Sequence, residues 1–173
     1  MAIRIDPSKK ILLDADVIIH FIKGDQIGIL HTIFHNKLYL LDVVFAEVFK
    51  GSLRIQVENL YRYHMIHDLS ISNDLNVLKE YARLKKIYGS GESACMAYCK
   101  FHQDVLASSN LKDIKRYCEE NEIQYLTTMD FLFEAYQKGI LDEAECDYFI
   151  HNVKSKGSKL PCNTITEFIK RLE

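Results

Sequence analysis

No run of apolar residues in this sequence approaches the roughly 20 that a membrane-spanning helix needs. The first ten residues, MAIRIDPSKK, lack the apolar stretch of a signal peptide, so a cytoplasmic protein with no membrane partner is expected. The five cysteines (Cys95, Cys99, Cys118, Cys146, Cys162) contain no CxxC pair. Their odd number argues for reduced thiols and against a disulfide framework. Neither sign of charge dominates. A formal net charge of -2 at pH 7 excludes a global positive field as the means of attracting nucleic acid and leaves only a local basic patch. Low-complexity segments and internal repeats are also missing.

What is present suits one globular domain with a real core. The chain has 173 residues, of which 48% are hydrophobic and 27% charged. Its most informative stretch is ILLDADVIIH, residues 11–20, where Asp14 and Asp16 interrupt an almost wholly apolar run. Aspartate is poor in strand interiors and costly to bury unpaired, so two of them there need a reason.

The periodicity predicts a strand over 10–13 and a helix over 16–23 that stops at Gly24, with Asp16 as its N-cap. Residues 25–36 read as helical, 37–44 as a second strand, and 45–51 as a short helix closed by Gly51. Residues 53–64 are ambiguous, and 66–72 suit a third strand. Helical spacing over 74–87, a buried helix after Gly91, a strand over 104–109 and a helix over 111–122 follow. A strand over 123–128, a helix over 129–139 closed by Gly139, and two more helices around Pro161 complete the chain. Cys95 and Cys99, four apart on the buried helix, read as small core residues and not as ligands. Short apolar strands alternating with helices indicate a parallel sheet covered on both faces, and ligands bind beyond the carboxyl ends of such strands.

Acidic residues gather at those ends. Asp14 closes the first strand, Glu47 follows the second, and Glu92 opens the helix in YGSGESACMAYC. Ser109 and Asn110 close the strand DVLASS, and Asp130 follows YLTT. Taken singly, Glu47 reads as a solvated helix residue and Glu92 as a helix-start acid favoured by the macrodipole. Together they point to one sheet edge, where clustered carboxylates raise one another's pKa values until a divalent cation removes the repulsion.

The segments ILLDADVIIHFIKG, LDVVFAEVFKG, GSGESACMAYC and VLASSNLKDIKRYC, in that order, resemble the PIN domain, the fold of many toxin ribonucleases. The C-terminal stretch from Gly139 onward resembles one PIN-like subgroup, so residues 1–173 are expected to form a single domain with helices of about 140–173 packed on it. The resemblance implies a three-layer α/β/α sandwich with a central parallel sheet. It implies a Mg²⁺- or Mn²⁺-dependent endoribonuclease that hydrolyses single-stranded RNA, with Asp14, Glu47 and Glu92 as both metal ligands and catalytic residues. A small antitoxin protein and a homodimer are the partners it suggests beside RNA. The family's usual aspartate after the fourth strand is replaced here by Ser109 and Asn110, which would bind water or phosphate in its stead. Asp113 lies one helical turn onward, and either it or Asp130 has a path to the site.

Three other readings compete. A catalytically weakened PIN-like chain would act as a nucleic-acid- or protein-binding module. The Asp14-x-Asp16 spacing also suits haloacid dehalogenase-like phosphatases, but no later acidic GDxxxD motif supports them. His31 with His35, and His64 with His67, have zinc-compatible spacing without further ligands to complete a set; His20 reads as a packing residue. Arg83, Lys85, Lys86, Lys112, Lys115 and Arg116 are the candidate phosphate contacts, set against their reading as solvated helix faces.

Overall fold

The computed structural model describes residues 2–71 and 73–173. Among these residues five short strands carry the sheet: β1 (Ile11–Leu13), β2 (Leu38–Leu41), β3 (His67–Leu69), β4 (Val105–Ala107) and β5 (Tyr125–Leu126). They lie in the order β3-β2-β1-β4-β5 with every pairing parallel. The register sets Ile11 beside both Leu38 and Val105, and Leu13 beside Ala107. Strands β1 and β4 are fully buried and apolar throughout, as a sheet covered on both faces requires.

Among the described residues ten α-helices surround the sheet: α1 (Ala15–Lys23), α2 (Leu30–Ile33), α3 (Asp42–Val48), α4 (Gly51–Arg62), α5 (Leu75–Leu84), α6 (Ser90–His102), α7 (Leu111–Glu120), α8 (Thr128–Gln137), α9 (Glu143–Ser155) and α10 (Ile165–Leu172). The result is a three-layer α/β/α fold. Helices α1, α2, α8 and α9 form one packed group, and α3, α5, α6 and α7 another. Helix α10 rests on α8 and α9. Phe21, Phe131 and Phe149 bind α1, α8 and α9 together, with ring centroids 6.1 Å apart for Phe21–Phe131 and 4.9 Å for Phe21–Phe149. Gly24 is needed beside them, because a Cβ there would lie 2.2 Å from the Phe149 ring.

The chain runs outward from β1 through β2 to β3, then returns to the other side of β1 for β4 and β5. The order therefore reverses between β1 and β4. In parallel sheets that switch point is where a ligand crevice opens, beyond the carboxyl ends of the two strands. Asp14 and Ser108 stand there, one residue past each strand.

Several boundaries differ from the sequence expectation for local reasons. Helix α1 begins at Ala15 with Asp14 as its N-cap, so Asp16 is not the cap and lies inside the first turn. Strand β2 ends at Leu41, because Asp42 already starts α3. Gly51 does not simply end that helix. It sits at φ +59 and begins α4, which occupies the ambiguous stretch. Residues 25–36 hold only a 3₁₀ turn at Ile27–Ile29 and the single turn of α2. The third strand, expected over 66–72, spans His67–Leu69; Ser72 lies outside the described residues. Among the described residues, no helix is long and apolar enough to cross a membrane.

Candidate active site

Asp14 is buried, with 6% of its surface exposed. Its Oδ1 accepts a hydrogen bond from the Ala15 backbone N–H at 2.8 Å, which caps α1, and its Oδ2 accepts from the Ser108 hydroxyl at 3.1 Å. Burial first, and then the neighbouring charges of Asp16 and Glu47, push its carboxyl up to about 7. Asp16, half-buried, accepts from the Ser109 backbone N–H at 2.9 Å through Oδ2. Its Oδ1 is buried with no hydrogen-bond partner among the described residues. Burial and the charge of Glu92 hold Asp16 up at about 6 against the backbone N–H groups that favour its ionised form.

Glu92 arrives from the first turn of α6, the helix that packs over β1 and β4. Gly91, the residue before it, lies against the cluster: a Cβ there would stand 3.4 Å from Asp14 Oδ1 and 3.5 Å from Val44, ordinary van der Waals contact. Glu92 accepts from the Asn110 side-chain amide at 2.6 Å, and the same nitrogen donates to Asp113 at 2.9 Å. Asn110 stands at the N-cap position of α7 but makes no capping bond, because its side chain is turned to these two carboxylates. Burial raises the Glu92 carboxyl, and the charges of Asp14 and Asp113 raise it further. Glu47 is exposed on α3, at the rim, close enough for its charge to act on Asp14.

The two residues in place of the expected fourth-strand acid part company. Asn110 faces the carboxylates. The Ser109 hydroxyl, expected to bind water or phosphate, donates instead to Thr128 Oγ1 at 2.7 Å and accepts from the Thr128 N–H at 2.9 Å. Thr128 Oγ1 also lies 2.8 Å from His20 Nδ1. Accepting from Ser109, the threonine hydroxyl keeps its own proton and a second lone pair, so it pairs with His20 in either tautomer. Burial, assisted by Lys23, lowers the His20 pKa to about 4 and keeps the ring neutral. The packing role expected of His20 is therefore a hydrogen-bonded one. Asp113 reaches the cluster; Asp130 does not, since it closes a capping box with Thr127.

Asp14, Asp16, Glu92 and Asp113 thus crowd one sheet edge, with Glu47 beside them. Among the described residues no three His, Cys, Asp or Glu side chains already close around a single point that would hold a metal ion, the paired histidines included. The donor chemistry nevertheless fits a hard divalent cation. It is all oxygen, one buried oxygen has no hydrogen-bond partner among the described residues, and burial, with mutual repulsion added to it, holds three carboxyls above their usual range.

A family model described as DUF3368, a PIN domain, matches residues 10–173. The chain belongs to the PIN-domain family. No curated protein matches it. PIN domains are a nuclease-type family that generally uses divalent metals, and in this one the carboxyl ends of β1 and β4 hold the acidic cluster. Asp16, read from the sequence as the N-cap of α1, joins the acidic cluster instead. Its distance from Asp14 is obvious in the sequence, but its turn back toward the β4 end is set by α1 starting one residue earlier than expected. The Ser109–Thr128–His20 chain has no sequence signal at all, because it joins residues 19 and 108 positions apart.

Cys95 and Cys99 are fully buried, and all five cysteines are free thiols. Of the basic residues, Arg83 pairs with Glu80, Lys115 with Glu119 and Arg116 with Glu120 on their own helices, while Lys85, Lys86 and Lys112 are exposed.

Proposed function

We propose that this PIN domain is a Mg²⁺- or Mn²⁺-dependent endoribonuclease acting on single-stranded RNA. The observation that carries the reading is the buried Oδ1 of Asp16, with no hydrogen-bond partner among the described residues, inside a cluster of carboxylates at the sheet's switch point. Asp14, Asp16 and Glu92 would hold the cation, with Glu47 at the rim and Asp113 held ready by Asn110. A cation there supplies Lewis-acid activation of water and neutralises charge on the phosphodiester. The protein's own part is to keep the acids in place. Ser108 and the Ala15 N–H fix Asp14, the Ser109 N–H fixes Asp16, and Asn110 holds Glu92 beside Asp113.

Metal uptake would displace the proton that Asp14 retains near neutrality, so affinity should rise with pH. Toxin activity, restraint by a small antitoxin and homodimer formation belong to the same proposal and rest on the resemblance alone. The second reading, a binding module, draws on Asn110 and Ser109, neither of which supplies a carboxylate where the family places one: Asn110 turns its amide nitrogen to Glu92 and Asp113, and the Ser109 hydroxyl is bonded to Thr128. One assay separates the two: single-stranded and structured RNA, incubated with protein in Mn²⁺, in Mg²⁺ and in chelator, beside the Glu92→Gln variant. Cleavage that needs metal and is lost in the variant supports the nuclease. RNA binding with no cleavage under any metal supports the module.

A further inference from the structure

Ser109 belongs to two places at once. Its backbone N–H serves Asp16, while the residue also lines a cavity of about 340 Å³. That volume lies at the lower end of ligand pockets, about 300–1,000 Å³. The inner lining is apolar, from buried Met129 and Leu160. Phe168 of α10 supplies an aromatic ring, half-buried and in edge contact with Phe133 at 6.2 Å. Leu111, 39% exposed, stands at the mouth next to Asn110 of the acidic cluster. Lys159, exposed, is the cation among the lining residues.

We propose that this cavity receives one nucleobase of the RNA strand, adjacent to the bond cut at the acidic cluster. The proposal rests on the nuclease reading for its ligand, and three features select a nucleotide over other occupants. The cavity opens beside the cluster, so a strand held there passes Ser109 and Leu111. An aromatic ring beside apolar groups suits the face of a base, while the lysine suits the phosphate attached to it. The lining also offers little with which to read base edges. The Thr127 hydroxyl is bonded to Asp130, and the Ser109 hydroxyl to Thr128. Recognition is therefore by stacking and size, tolerant of base identity. The C-terminal helices, which supply Phe168, become part of the substrate site in this arrangement.

The test uses labelled single-stranded RNA oligonucleotides in Mn²⁺, intact or with one base removed at successive positions around the cleaved bond. Both binding, by fluorescence anisotropy, and steady-state cleavage are followed. One abasic position should weaken binding roughly tenfold and raise KM to match, with kcat kept, as expected for one stacked base. Phe168→Ala should bind intact RNA as weakly as wild type binds that abasic RNA, and should no longer distinguish the two. Leu111→Gln should weaken the same discrimination without touching the core beneath Phe168. Lys159→Ala should reduce the salt dependence of log K by about 0.7, one single-strand phosphate contact.

The subsite is overturned if every abasic oligonucleotide binds like the intact one, the result expected if the cavity instead takes an apolar side chain from a protein partner. It is also overturned if Phe168→Ala and Leu111→Gln leave binding unchanged. Cleavage with no abasic effect leaves the nuclease reading intact and removes only the subsite. Position-dependent binding without cleavage keeps the subsite and removes the nuclease. No RNA binding removes both.

Discussion

Replacing Asp14 with Asn should stabilise the metal-free protein while abolishing its metal response. Folding raises the Asp14 carboxyl from 3.8 to about 7. A folded value above the unfolded one means that stability is full below pH 3.8 and falls as pH rises toward 7, where the folded protein must surrender a proton it holds more tightly. At about 1.4 kcal/mol per tenfold, the full displacement corresponds to about 4 kcal/mol. Asp14 and Asp16 lose their protons as an interacting pair, so one substitution should recover about 2–4 kcal/mol at pH 8 and little at pH 4. Asn keeps the cap, since its side-chain oxygen accepts from the Ala15 N–H as the carboxylate does, and its amide can donate to the Ser108 hydroxyl.

For a chain of this length about 1 kcal/mol moves Tm by roughly 2–4 °C, so Tm in chelator at pH 8 should rise by about 5–15 °C. Thermal melts followed by circular dichroism between pH 4 and pH 8.5, with and without Mn²⁺, make the measurement. The difference between variant and wild type is the quantity to read. His20, lowered to about 4, adds a slope of opposite sign, losing stability as pH falls from 6.5 to 4, and this cancels in the comparison. Mn²⁺ should raise the wild-type Tm and leave the variant unmoved. A variant destabilised equally at pH 5 and pH 8 would refute the claim that burial and crowding strain this carboxylate.

Three further outcomes follow from the same geometry. Asn110→Asp should replace a donor to Glu92 and Asp113 with a third anion, lower stability in chelator by about 2–3 kcal/mol, and regain it with Mn²⁺ together with faster RNA cleavage; a variant as stable as wild type in chelator would count against the bridge. Thr128→Val should strand the Ser109 hydroxyl and His20 Nδ1, costing about 1–3 kcal/mol in urea denaturation, and Thr128→Ser should restore most of it. Gly24→Ala should drive a methyl group into the Phe149 ring and cost about 1–3 kcal/mol, read as a lowered Tm; an unchanged Tm would show that α9 gives way at no cost.

The acids were legible to different depths. Asp14 could be placed from the sequence because a polar residue ending a wholly apolar strand has few other positions, and the parallel sheet says which edge that is. Glu92 was legible for a similar reason, as the first-turn acid of a helix whose next seven residues are all buried. Glu47 was placed near the right edge, but its exposure at the rim depends on α3 beginning at Asp42, three residues before the expected start. Asp113 could be named only as a possibility, since it is Asn110 turning away from its capping role that joins it to Glu92.

By itself, the sequence determined what local chemistry controls: buried parallel strands, the helices between them, and carboxylates at strand ends and helix starts. These follow from side-chain polarity and spacing within a few residues, which burial and backbone hydrogen bonding act on directly. Only the tertiary structure decided which oxygens share a cluster, that the Ser109 side chain belongs to Thr128 and His20, and that α10 walls a cavity beside the acids. Those outcomes depend on contacts between residues far apart in the chain, where a one-residue shift in a helix start redirects a carboxylate and no local pattern records it.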